Sequence, residues 1–235
     1  MRNIADEVLL KVLKLGRPKY CLEVNVVRKL VRASNDVFND TLNSLINEGF
    51  IHRGIGNAIC LRDPVRTLLH LLRKGYSSEE IVKLINWQLF EGVVASILNE
   101  SGLQVYKNVR IPPPRGVEVD VLGINIINWF AYVIDCKHWM RAFRLSRRVK
   151  DITNEHYERV LKLNNRCEWL MGKVRDFYRV RYLIPVIVTA MPINVKVLNN
   201  VFIVPIRYLN DFLINTLYYI DLLNVKPVPN RCRVK

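Results

Sequence analysis

Asp135 and Lys137 stand two residues apart in YVIDCKHW, where Tyr132, Val133 and Ile134 lead into a carboxylate and then an amine. In an extended chain, residues i and i+2 project to one face, roughly 6–7 Å apart. This carboxylate and ammonium therefore share a face, and Cys136 turns away. Asp120 lies upstream in VEVDVLGI, an alternating, valine-rich run. The connecting loop, with Gly123 and Asn125, is short enough for an antiparallel hairpin that sets Asp120 beside Asp135. Two carboxylates held close repel each other, and a divalent cation resolves the repulsion. Mg²⁺ takes hard oxygen donors: one or two carboxylates, a backbone carbonyl, and waters. An ammonium next to it would orient or deprotonate an attacking water, or stabilise charge developing on a phosphate. Glu91 is a third carboxylate, set in an apolar helical segment where it needs a partner or a task.

The elements that must position these groups are legible as patterns. A helix is expected over about 78–100, apolar nearly all round, with Ser77 and Glu80 at capping-box spacing. Strands follow at 105–111, 117–124 and 129–137. A long basic helical stretch covers about 150–179, buried strands lie at 183–190 and 201–206, and a helix closes the chain at 207–223. The tail from Lys226 contains two prolines and is expected to be loose. Upstream, Ile4, Val8, Leu9, Val12 and Leu13 mark a helix over 3–15, stopped by Gly16 and Pro18. A second helical segment covers 24–33. Ser34 or Asn35 caps a third, which Gly49 ends. FIHRGIGNAICL reads as a hairpin, and 64–75 as a connecting helix.

The chain has 235 residues, half of them hydrophobic, enough for a sizeable core. No apolar run reaches the ~18 residues of a membrane span, and Asp6 and Glu7 interrupt what a signal peptide would keep apolar. A soluble, cytoplasmic protein with no membrane partner is expected. Five scattered cysteines with no C-x-x-C pair suggest neither a disulfide framework nor a zinc site. Net charge is +15, and it is densest in KHWMRAFRLSRRVK (137–150), with six basic residues and no acid. Such a field attracts polyanions. Arg141, Arg144, Arg147 and Arg148 recur at helical spacing, so with His138 and Lys150 they form a candidate nucleic-acid contact. A merely solvated helix face is the plain alternative.

Glu91 followed by D-x14-D-x-K, in the order helix–strand–strand–strand, resembles the PD-(D/E)XK (restriction-endonuclease-like) nuclease superfamily. The likeness covers residues 80–206 and is nearest to archaeal Holliday-junction resolvases and Mrr-type endonucleases. FEGVVASILNESGLQVYKNVRI is similar to the family's first helix and strand, GVEVDVLG to its second strand, and VIDCKHW to its third. The resemblance implies an α/β fold, a mixed β-sheet flanked by helices, that hydrolyses phosphodiesters with Mg²⁺ or Mn²⁺. Asp120, Asp135 and the Cys136 main-chain carbonyl would hold the metal, Lys137 would position the water, and Glu91 would complete the shell through a water or a hydrogen bond. Glu118, on the strand face of Asp120, is a further candidate ligand. Val119 stands where the namesake motif has proline. The glutamine–tyrosine pair of some subfamilies is absent, with His156 and Tyr157 in its region.

The first 60 residues resemble a small, mainly α winged helix-turn-helix domain. Asn39, Asp40, Asn43 and Ser44 would then face a DNA groove, although that face carries no basic residue, and a dimerisation role fits equally. The expected organisation is a winged-helix-like domain at 1–75, a nuclease-like domain at 76–225 and a basic tail at 226–235. The partner would be DNA, with RNA not distinguished, and a homodimer would suit cleavage of both strands. The rival class is a DNA-binding protein that uses a nuclease-like fold as a platform.

Overall fold

The computed structural model describes residues 3–77, 80–81, 84–112, 116–138, 145–192 and 195–233, with side chains left out at 145–147. The chain divides into two compact units, Met1–Leu84 and Ile85–Lys235.

In the first unit, α1 (Ile4–Leu15) begins where the Asn3 side chain accepts the Ala5 N–H, and it buries Val8, Leu9, Val12 and Leu13. β1 (Cys21–Glu23) leads into α2 (Val24–Leu30). Ser34 caps α3 (Asn35–Asn47) by accepting the Val37 N–H. β2 (Ile51–Arg53) and β3 (Ala58–Leu61) form the expected hairpin, and α4 (Pro64–Arg73) follows, capped by Asp63. β1 was not legible in the sequence: it joins β3 to give a three-stranded sheet in the order β1-β3-β2. The buried Asp6 carboxylate pairs with His70 Nε2 at 3.0 Å. Asn39, Asp40, Asn43 and Ser44 are exposed along α3.

The second unit is a mixed α/β layer structure. α5 (Trp87–Glu100) precedes β4 (Gln104–Ile111), β5 (Val117–Asn125) and β6 (Phe130–Lys137). Next come α6 (Leu145–Asn164), α7 (Cys167–Met171), a 3-10 turn (Phe177–Arg179) and β7 (Tyr182–Thr189). β8 (Val197–Leu198), β9 (Val201–Pro205), α8 (Leu209–Ile214), α9 (Thr216–Leu222) and β10 (Val228–Pro229) complete it. The sheet runs β4-β5-β6-β7-β9-β8, with β10 added beside β7. β4, β5 and β6 are antiparallel, whereas β6, β7 and β9 are parallel. A parallel step needs a long crossover, and α6 and α7 supply it between β6 and β7.

Both faces of the sheet are covered. On one, Leu122, Ile124, Ala131 and Val133 pack against Val160 and Leu163 of α6 and against Phe177. On the other, a Cβ at Gly123 would overlap the Leu98 side chain of α5. Helix α5 thus lies close on β5 because position 123 has no side chain. On that face the Tyr132 and Thr216 hydroxyls are bonded at 2.8 Å.

Several expectations are corrected. The helix expected over 78–100 is interrupted: Glu80 and Ile81 are helical, with Ser77 Oγ accepting the Glu80 N–H, but a separate helix begins at Trp87, where the Asn86 side chain accepts the Leu89 N–H. The stretch 150–179 is broken: α6 starts earlier and ends at Asn164, with α7 and the 3-10 turn behind it. The closing helix divides at Asn215. Over its described residues, to Arg233, the tail is not loose. Val228 and Pro229 pair with Leu183 and Tyr182, and Asn230 Nδ2 donates to the carbonyls of Phe177 and Val180. The cysteines are not all free either: Cys21–Cys60 and Cys167–Cys232 are disulfides. Sequence spacing hides both pairs. Cys21 meets Cys60 through the register of β1 on β3, and the returning tail brings Cys232 to α7.

Candidate active site

Strand β6 carries the site at its C-terminal end. Asp135 is 3% exposed, beneath its neighbours in the sheet. Its two carboxylate oxygens meet different cations. Lys137 Nζ lies 2.8 Å from Oδ2, and Arg159 Nη1 of α6 donates to Oδ1 at 3.1 Å. Each oxygen therefore has its own cation partner, and the Lys137 ammonium on Oδ2 is the larger influence holding the group ionised.

Asp120 stands opposite this point. The β5–β6 ladder runs through Leu122↔Val133 and ends at Val121↔Ile134, one residue short of Asp120 and Asp135. Asp120 Oδ2 accepts the Cys136 N–H at 2.7 Å, which ties β5 to the end of β6. The regular alternation of β5 fails here. Val119 and Leu122 belong to one core cluster although they are three residues apart. The β4 ladder omits the Asn108–Asp120 pair, and Asn108 has φ +52°. A local break of this kind re-aims a side chain, a common device beside functional sites, and asparagine tolerates the left-handed conformation it needs. The break sets Asp120 where it can reach across to Cys136.

Glu91 approaches from α5, 7% exposed. Burial, then the Asp120 and Glu118 carboxylates, push its pKa up to about 7, although Lys107 opposes them. Burial also raises Asp120, against the Cys136 N–H, while the Asp135 charge adds to the rise. For Asp135 burial pushes upward too, but Lys137, His156 and Arg159 outweigh it and hold the group below the usual carboxylate range. The three acids are thus pushed apart: Asp135 stays ionised, whereas Glu91 is near half-protonated at neutral pH. Burial and the surrounding carboxylates raise the Cys136 thiol well above its ordinary range, so it stays protonated.

The structure therefore brings Asp120, Asp135 and Lys137 together, with Glu91 in the field of both aspartates. Glu118 does not join as a free ligand, because Arg110 donates to its Oε1 through Nε and Nη2 at 3.0 and 2.8 Å. His138 sits against the Phe90 ring, with centroids 5.9 Å apart. Arg148 and Lys150 are exposed on α6. Arg141 and Arg144, the Arg147 side chain and Trp139 lie outside the described residues.

Two residues of α6 were missed by sequence reasoning as site members, His156 in part and Arg159 wholly. They lie three apart on α6 and reach Val133 and Asp135, two apart on β6. His156 Nε2 donates to the Val133 carbonyl at 3.0 Å, and its Nδ1 is buried without a partner. Burial lowers its pKa to about 4, so the ring is neutral. The helical i, i+3 spacing of His156 and Arg159 was a usable signal. The strand they face could not be identified without the fold.

Among the described residues no group of three or more His, Cys, Asp or Glu side chains is placed to hold a metal ion. A divalent ion at this point would rest on Asp120, Asp135 and the Cys136 carbonyl. That suits Mg²⁺, which keeps several waters and needs only one or two carboxylates. Such an ion would share Asp135 Oδ2 with the Lys137 ammonium and Asp120 Oδ2 with the Cys136 N–H.

No protein-family model and no curated protein matches the chain. Among solved structures it is similar to protein VC1899 from Vibrio cholerae, at 14% identity and a TM-score of 0.37. The match covers 94% of this chain and 52% of that one, so the chain spans about half the length of the Vibrio protein. A likeness so slight carries no argument about fold or activity.

Proposed function

We propose that the protein is a metal-dependent deoxyribonuclease of restriction-endonuclease-like fold. In this proposal its first unit is a winged-helix-like module and its second unit hydrolyses phosphodiester bonds. The observation that carries the proposal is the meeting of Asp120, Asp135 and Lys137 at the C-terminal end of β6, where Asp120 of β5 accepts the Cys136 N–H and Lys137 pairs with Asp135.

Asp120, Asp135 and the Cys136 carbonyl would hold Mg²⁺ or Mn²⁺. When bound, the ion supplies Lewis acidity to the phosphoryl oxygens and lowers the pKa of water. The chain's own groups do the rest. Lys137, fixed by Asp135, directs an ammonium at the position of the attacking water and steadies charge developing on the phosphate. Arg159 keeps Asp135 ionised and has further N–H groups to offer a phosphate oxygen. Glu91, with its pKa near 7, can hold or release a proton at working pH. His156 fixes β6 through the Val133 carbonyl and so the height of Asp135. Exposed Arg148 and Lys150 lie on α6, with the basic run before them, to bind the backbone.

The assay is cleavage of labelled DNA in Mn²⁺ by the parent, Asp135→Ala and Lys137→Ala. The proposal expects cleavage by the parent and a loss of at least ~10²-fold in each variant. Equal cleavage by all three would assign the activity to a contaminant.

A second reading has its own support: both Asp135 oxygens already face cations, and no larger cluster of metal-ligating side chains is described. In that reading the fold is a DNA-binding platform without catalysis. The parent would then shift DNA in a gel and cut nothing in Mg²⁺ or Mn²⁺.

A further inference from the structure

We propose a second polynucleotide-binding surface, at the opposite end of β6 from Asp135, that takes single-stranded nucleic acid. It is built by KVRDFYRVRY, residues 173–182. Four cations of this run (Lys173, Arg175, Arg179 and Arg181) are exposed. Its one acid, Asp176, is half-buried with Arg175 Nε 3.6 Å away. Tyr178 and Tyr182 are interleaved with the arginines and are 44% and 40% exposed. Between them Val174, Phe177 and Val180 are buried, so the backbone is anchored in the core while cations and rings face outward.

The surface is preorganised. The Arg179 guanidinium lies 3.9 Å from the Trp129 ring centroid, and the Arg181 N–H donates to the Trp129 carbonyl at 2.7 Å. Tyr182 packs edge-on to Phe130, with centroids 6.2 Å apart. A flat guanidinium already pinned on an indole loses little freedom when it grips a phosphate, and fixed phenol faces can receive bases. A closed duplex would use the cations but leave the rings idle, because its bases are stacked on one another. A single strand uses both.

A lipid surface fits less well. Besides Met171, which ends α7, the exposed apolar residues at this end are Ile126 and Ile127, on a hairpin tip that Asn125 Oδ1 closes by accepting the Ile127 and Asn128 N–H groups. Two isoleucines beside asparagines bury little in a membrane. The surface is also distinct from the candidate active site. Tyr182 is the register partner of Phe130, and Thr189 that of Lys137. Seven residues of strand separate them, about 23 Å. Binding here does not depend on a metal at Asp120 and Asp135.

The test is fluorescence anisotropy of the full chain in EDTA, with labelled dT20, rU20, a 20-base-pair duplex and phosphatidylserine vesicles. Dissociation constants are compared for the parent and Arg179→Glu/Arg181→Glu. The double variant is expected to bind dT20 and rU20 on the order of tenfold more weakly, with a smaller loss on the duplex. In parallel, ultraviolet cross-linking of bromouridine-substituted dT20 to the unmutated protein is mapped by mass spectrometry. The expected adduct lies in the peptide carrying Tyr178 and Tyr182, a readout that stands even if the variant folds poorly. Affinity within twofold of the parent in a folded variant would overturn the proposal. So would cross-links confined to other peptides, or vesicle binding in the absence of single-strand binding.

Discussion

Asp135 and Glu91 show how environment separates two chemically similar groups. Asp135 has Lys137 and Arg159 on its oxygens and stays ionised. Glu91 is buried beside other carboxylates and keeps its proton to about pH 7. Unfolded, Glu91 would lose that proton near 4.5. Between these values the folded state holds a proton that the unfolded state has shed, so stability falls as pH rises through the window. In EDTA, Glu91→Gln should remove this loss. Urea denaturation should find the variant more stable relative to the parent at pH 8 than at pH 5, by about 1–3 kcal/mol. His156 acts at lower pH. Its folded pKa is depressed to about 4 from 6.5. As pH falls below 6.5 the unfolded chain takes up a proton that the folded ring refuses until about pH 4. Stability tied to this ring is present above 6.5 and is lost across that range, by up to about 3 kcal/mol. A His156→Gln variant should show a flatter acid limb in the same titration.

At the scale of elements, the close approach of α5 to β5 sets the position of Glu91. Gly123→Val would push Leu98 and the helix outward, and overpacking of this kind costs about 1–3 kcal/mol. A lower midpoint in urea, together with a Glu91 pKa moved toward its ordinary value, is the expected result. The returning tail is a second such element. Cys167–Cys232 closes a loop across a sequence separation of 65 residues. Cys167→Ser should lower stability by about 2–4 kcal/mol more under oxidising conditions than under reducing ones, where only the buried hydroxyl counts against it. Much of the element pattern was legible in the sequence, because valine alternation and helical periodicity are local. Strands β4, β5 and β6 and the antiparallel β5–β6 hairpin could be proposed from VEVDVLGI and YVIDCKHW. The missing pair at Asn108–Asp120, the pairing of β1 with β3, both disulfides and the docking of β10 on β7 were not legible. Each depends on residues that meet only through the fold. Arg159 was missed for the same reason: nothing in NEHYERV says which strand its helix will face.

At the scale of the whole molecule, a net charge of +15 is the dominant electrostatic fact. If the protein contacts about six phosphates, its affinity for DNA should fall by roughly 10³ between 50 and 200 mM salt. A salt series of anisotropy measurements checks this slope. No helix among the described residues is long and apolar enough to cross a membrane. The charge field alone fits a binder as well as a nuclease, so the distinction returns to the metal. Isothermal titration of Mn²⁺ into the EDTA-treated, dialysed full chain, compared with Asp120→Asn/Asp135→Asn, addresses it most directly. Saturable uptake by the parent that the double variant loses, while keeping its DNA affinity, is the expected result. Absence of uptake by the parent, or identical uptake by both proteins, would contradict a metal held between β5 and β6.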